Sequence, residues 1–150
     1  VVKNAKVLAE ELNCEKETHL VLKDLKEYGF GMWYQAQFVL EEVGITVNRN
    51  TVPGEEASAF YPSGIRLGTP AITTRGMKDG DMRRIAGWIK AALEEIKGMD
   101  LPKEQEKRKD FLKEVKQKLR ENENLKKIKK EVEEFAGKFP VPGVEWKRIW

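Results

Sequence analysis

Two side chains much used in chemistry are almost missing: the 150 residues hold one cysteine, Cys14, and one histidine, His19. A single cysteine cannot close an internal disulfide, and the pair cannot assemble a metal site built from several His and Cys ligands. That cysteine usage fits a reducing, cytoplasmic setting. No apolar run is long enough to cross a bilayer, and the first residues carry no secretory pattern, so no membrane partner is expected. The GxxxxGK[ST] phosphate loop, the dinucleotide glycine pattern, HExxH and GxSxG are all absent. A self-contained enzyme is hard to assemble from what remains. The net charge of +3, from 28 basic and 25 acidic residues, is too mild to argue for nucleic acid. The chain starts on Val1 rather than Met, which is expected of a processed product or of a piece cut from a longer protein.

What is present is the composition of one globular domain, 40% hydrophobic and 35% charged, long enough for a real core. NAKVLAEEL (4–12) has helical spacing, with Asn4 as its cap. THLVLKDL (18–25) reads as a strand, YGFG (28–31) as a break, and 32–44 as an amphipathic helix closed by Gly44. ITVN (45–48) predicts a second strand and 50–63, with Pro53, Gly54 and Pro62, a long loop of the kind that is often functional. GIRLG (64–68) is the third strand. Thr69 and Pro70 then open a short helix that Gly76 ends, and Asp79 or Asp81 opens a longer one closed by Gly98.

From Pro102 the character changes. Residues 103–134 carry 12 basic and 9 acidic side chains around one thin apolar stripe: Leu112, Val115, Leu119, Leu125, Ile128, Val132 and Phe135. A break at 122–124 divides two charged helices, and 139–150 reads as an extended tail. The fold class expected is α+β: a small α/β sandwich with a three-stranded, mainly antiparallel sheet covered by helices, plus a charged C-terminal helical extension. Residues 1–100 form the small domain and 101–150 the extension packed on it.

Arg66 is the first candidate for chemistry. A guanidinium inside a strand is costly unless compensated, and its planar fork matches a carboxylate through two parallel hydrogen bonds. Gly64 and Gly68 leave room for a ligand or another backbone to approach. Two blander readings stand beside it: an arginine on the exposed face of an edge strand, or one paired with an internal glutamate. Asn48 and Asn50 flank Arg49 where a strand enters the loop; they either make local turn bonds or aim an amide at a polar heterocycle. Phe60 and Tyr61 either stack on a ligand or anchor the loop. His19 reads as a structural hydrogen-bonder, and Cys14 shows nothing that would depress its thiol pKa.

Two stretches carry a family resemblance: GITVNRNTVP (44–53) and SGIRLGTPAITTRG (63–76). With NAKVLAEEL, THLVLKDL and LEEVGITVN in order, they resemble the C-terminal domain of serine hydroxymethyltransferase (glycine hydroxymethyltransferase), over about residues 3–97. The resemblance implies the small domain of a fold-type I pyridoxal phosphate enzyme. That enzyme moves a one-carbon unit between serine and a tetrahydrofolate-type pterin, forming glycine. Its site lies between this domain and a large cofactor domain and is completed across a homodimer. By the same resemblance, Arg66 binds the amino-acid carboxylate and Asn50 the pterin. No residue here is catalytic or holds pyridoxal phosphate, so the fragment alone is expected to be inactive.

Departures from the family pattern are Arg49 where a lysine is usual, GEEASAFYPSG where Ser-Pro-Phe is common, and KEYGFGMWYQA at 26–36. Some archaeal relatives use modified pterins, which leaves the carrier open. Separated from its large domain, the piece would expose an apolar former interface and tend to self-associate. The alternative is a stand-alone module whose basic helical tail docks on RNA or protein; the acidic residues of that tail argue against it.

Overall fold

The computed structural model of the protein describes residues 1–56 and 60–143. Ala59 of the long loop and residues 144–150 of the predicted tail lie outside them. The described elements run α1 (Val2–Leu12), β1 (Glu15–Glu17), β2 (Leu20–Asp24), α2 (Trp33–Glu42), β3 (Asn48–Asn50), β4 (Gly64–Gly68), α3 (Pro70–Thr74), α4 (Asp79–Glu94), α5 (Gln105–Glu121) and α6 (Glu123–Ala136). The expected α+β sandwich forms around an antiparallel sheet in the order β1-β2-β4-β3.

Three local features differ from the sequence expectation. The sheet gains a fourth strand, β1, whose residues Glu-Lys-Glu give no apolar signal; it forms because Thr18 and His19 turn the chain back onto β2. β3 starts at Asn48, not Ile45, because the Ile45 amide donates to the Leu40 carbonyl and completes the end of α2 instead. Asn4 lies inside α1, not at its cap: its amide is buried and donates to Thr73 Oγ1 and to the Met77 carbonyl, both at 2.9 Å, tying α1 to α3.

Val21, Ile65 and Leu67 point to one face of the sheet, and α1, α2 and α4 pack over it through Leu8, Leu40, Met82, Ile89 and Leu93. Lys23 also points to this face. Its ammonium donates to the Leu12 carbonyl at 3.2 Å, pairs with Glu27 and lies 5.7 Å from the centre of the Tyr28 ring. A cation at the C-terminal end of α1 complements the helix dipole, which is how a lysine is tolerated there.

The charged helices join the same core. Val115, Leu119, Leu125, Ile128, Val132 and Phe135, the stripe read from the sequence, are buried, and Leu112 is half-buried. Glu95 at the end of α4 accepts from Asn122 (2.6 Å) and Asn124 (3.0 Å), while Asn122 Oδ1 caps α6 by accepting from Leu125 N (3.1 Å). The guanidinium of Arg75 donates to the Ala136 and Phe139 carbonyls at 2.8 and 2.6 Å, meeting the unpaired end of α6. Phe135 stacks edge-on to Trp88 at 5.2 Å and is 5.0 Å from Phe139. Phe135→Ala should therefore cost the chain about 3–5 kcal/mol, measured as a lower denaturant midpoint. A loss below about 1 kcal/mol would show that α6 is only loosely docked.

Candidate functional site

Successive residues of a strand point to opposite faces. In β4, Ile65 and Leu67 are buried, so Gly64, Arg66 and Gly68 belong to the other face. That face is not covered by the helices that bury Ile65. Arg66 is exposed there, and among the described residues it has no hydrogen bond or ion pair. Both bland sequence readings fail in part. The strand is central, flanked by β2 and β3, and among the described residues no glutamate pairs with the guanidinium.

The register gives Arg66 its neighbours. It stands opposite Leu22 on β2 and Asn48 on β3, and Asn50 stands opposite Gly64. Asn48, Asn50 and Arg66 thus share the open face, with Asn50 the diagonal neighbour of Arg66, a spacing of about 7–8 Å. The two residues picked from separate stretches of sequence are brought together by one ladder. Asn50 Nδ2 donates to the Thr51 carbonyl at 2.8 Å, the local turn bond expected of such a residue, and its Oδ1 is left as an acceptor. Arg49 points the opposite way, its guanidinium 5.3 Å from the centre of the Trp33 ring on α2.

The two glycines differ. A side chain at Gly64 would stand 2.5 Å from Val52 Cγ1 and 2.8 Å from the Asn50 carbonyl, so the close approach there is made by the chain's own loop. At Gly68 a Cβ would meet only ordinary contacts, at 3.6 Å and beyond. The loop is held by groups that periodicity could not reveal. Glu55 accepts from Ser63 N at 2.8 Å and Ser63 Oγ at 2.7 Å, and Lys26 donates to the Pro53 carbonyl at 3.1 Å. A carboxylate folding back across eight residues leaves no repeating pattern; the only sequence signal is an acidic residue after the Pro-Gly turn. On the outer arm Tyr61 lies 6.5 Å from Trp33 and under Arg108 at 4.9 Å, whereas Phe60 is 76% exposed.

Beside Arg66, a recess of about 230 Å³ is lined by Asn13, Cys14, Leu22, Asp24, Val52 and Pro53. Its surface is mixed, and the open face carries Asn48, Asn50 and Arg66. Half-buried Leu20 and Leu22 of β2 share this face with them, so it presents polar and apolar groups side by side. An apolar recess of about 280 Å³ lies elsewhere, against Leu67, Gly68, Ile72, Trp88, Val132 and Phe135; neither Arg66 nor Asn50 lines it, and the Arg75 at its rim is engaged with backbone carbonyls.

The remaining candidates are structural. The exposed His19 ring bonds only with its neighbour among the described residues, Nδ1 lying 3.0 Å from Thr18 Oγ1, while its backbone carbonyl accepts from Thr69 N (3.2 Å) and Thr69 Oγ1 (3.3 Å). Cys14 Sγ donates to the Leu12 carbonyl at 3.3 Å. Burial pushes its pKa up to about 11, with Glu27 adding to the rise and Lys23 and Lys90 opposing it. The nearest cation in sequence, Lys16, is not among the causes. The thiol stays protonated through neutral pH and is no nucleophile. Because the folded pKa is the higher one, Cys14 favours the fold fully below pH 9.0, its ordinary value, and this contribution is lost as pH rises through about 11. Its alkylation rate in the native chain should still be climbing between those values. A plateau near the lower one would contradict this reading.

Comparison with known proteins places the chain in a family. Residues 1–89 match the family model described as serine hydroxymethyltransferase. A probable cytosolic serine hydroxymethyltransferase of Schizosaccharomyces pombe is 44% identical over 94% of this chain and 32% of its own length. The mitochondrial enzyme of Eremothecium gossypii is 37% identical over 95% of this chain and 30% of its own length. The serine hydroxymethyltransferase of Methanospirillum hungatei is 42% identical over 67% and 26%. The chain spans about a third of the length of the curated relatives it matches. No helix among the described residues is long and apolar enough to cross a membrane. A family match over more than half the chain, and relatives this similar across nearly all of it, show that the protein belongs to the serine hydroxymethyltransferase family.

Proposed function

We propose that the chain is the small C-terminal part of a glycine hydroxymethyltransferase, with residues 1–100 as the domain that lines the active site and 101–150 as its helical extension. The reaction is transfer of a one-carbon unit between serine and a tetrahydrofolate or modified pterin, leaving glycine. Arg66 receives the α-carboxylate of the amino acid, and Asn50 contacts the pterin. The observation that carries this reading is the uncommitted guanidinium of Arg66 on a central strand, on the same face as Asn50. A bidentate clamp on a carboxylate fixes the orientation of the bonds at Cα, which is catalysis by positioning. With Nδ2 engaged at Thr51, the Asn50 Oδ1 is the atom that accepts from a ring N–H.

Pyridoxal phosphate supplies an electron sink in this chemistry. The described residues do not fit a site for it. The buried lysine, Lys23, points to the covered face and is bound to Leu12 and Glu27, so it cannot serve as the cofactor's lysine. The cofactor belongs with a large domain outside this chain, in a homodimer, and the chain alone is inactive. The cytoplasm is its compartment in this reading.

The basic extension does not favour an RNA-binding module. Lys116 lies over Tyr34 at 5.2 Å and Phe38 at 5.3 Å, Arg120 over Phe38 at 5.6 Å, and Arg108 over Tyr61, so cations of α5 are used within the chain. Arg66→Lys in the complete enzyme keeps the charge and loses the fork. Amino-acid affinity should fall by about 2–5 kcal/mol once the pair is desolvated. The same substitution in this chain alone should leave unfolding free energy within about 0.5 kcal/mol. Unchanged affinity in the complete enzyme would overturn the assignment.

A further inference from the structure

The loop between Asn50 and Arg66 is closed at its neck by one carboxylate. Glu55 takes both the backbone N–H and the hydroxyl of Ser63, and Ser63 is itself buried, with its carbonyl accepting from Leu25 N at 2.8 Å. The two ends of the loop do not depend equally on this clamp. Arg66 sits within a ladder paired on both sides, to Leu22 and to Asn48, so the sheet holds its backbone whatever the loop does. Asn50 is the last residue of a three-residue strand, and its side chain is oriented by a hydrogen bond to Thr51, the first residue of the loop. Val52, the next residue but one, is buried against Gly64. The path of residues 51–55 therefore sets where the Asn50 amide points, and the Glu55 contact to Ser63 fixes that path.

From this we infer that Glu55 is a positioning residue for the pterin co-substrate and not for the amino acid: its clamp on Ser63 holds the loop so that Asn50 presents its amide, while Arg66 is held independently by the sheet. The inference rests on the roles proposed above for Asn50 and Arg66. Glu55→Gln keeps the size of the side chain. It removes the charge and replaces one acceptor oxygen with a donor, so both bonds lose their charge assistance and the Ser63 hydroxyl must turn from donating to accepting. The outer arm stays anchored by Tyr61 between Trp33 and Arg108, so the variant retains its fold.

The test uses the complete enzyme with its cofactor. KM for tetrahydrofolate should rise about tenfold in Glu55→Gln, with the affinity for serine measured without pterin unchanged. Ser63→Ala, which removes the hydroxyl alone, should produce a smaller rise, and the double variant should be no worse than Glu55→Gln because both act on one contact. Asn50→Ala and Arg66→Lys run alongside. If these weaken pterin and serine respectively while Glu55→Gln alters neither, or alters both equally, the positioning role is overturned and the site stands. If Asn50→Ala leaves pterin binding intact, the site reading fails and the positioning role falls with it.

Discussion

The structure depends on one constraint: a sheet buried on a single face. Burying Val21, Ile65 and Leu67 against α1, α2 and α4 forces every alternate residue of β2 and β4 to the opposite side. Arg66 is where it is because its two neighbours in sequence must be inside. A slip of one residue in the β2–β4 pairing would bury the guanidinium and expose Ile65 and Leu67, an outcome excluded by several kcal/mol per inverted side chain, roughly 1.5–3 for each aliphatic residue alone. The position of the candidate site is thus a by-product of core formation, and no dedicated interaction is required to hold Arg66 in place.

The same economy governs the charged extension. Helices α5 and α6 are mostly hydrophilic, and their narrow apolar seam alone would hold them weakly. The seam is supplemented at its edges by polar contacts to the domain: Glu95 to Asn122 and Asn124, Trp88 Nε1 to Glu131 at 2.9 Å, and Arg75 to the end of α6. Between α5 and α2, Lys116 and Arg120 set their cationic heads over the rings of Tyr34 and Phe38, adding a cation–π contact beside the apolar seam.

Much of this was legible in the sequence where a period or a punctuating residue carried it. The bounds of β4 follow from two glycines around Ile-Arg-Leu, α3 from Thr-Pro, and the division of α5 from α6 from the Asn-rich break. What could not be read is what depends on partners far along the chain. β1 has no apolar residue and exists only through its hairpin with β2. Asn4 looks like a cap until Thr73 and Met77 are placed beside it. Arg66 stands in a strand that is hydrophobic on either side of it, and the alternation that exposes it becomes visible only when one face is known to be open. Arg66 and Asn50 could be named as candidates from two motifs, but their common face follows from the β3–β4 register, and the Glu55 clamp between them from neither motif.

An exposed arginine is inexpensive to fold around and, for the same reason, a weak binder by itself. In water an ion pair with a single carboxylate contributes about 0–1 kcal/mol. The strength of the fork appears only when surrounding groups exclude solvent from it, since the attraction between two charges grows as the effective dielectric falls. The open face of this sheet supplies orientation: a rigid strand under Arg66 and a clamped loop beside Asn50. It does not supply enclosure. A guanidinium on such a face holds a carboxylate tightly only where a second surface closes over it, and relatives about three times as long have additional chain. Solvent on the open face is what lets the Arg66 guanidinium stand without a partner among the described residues at little cost to the fold.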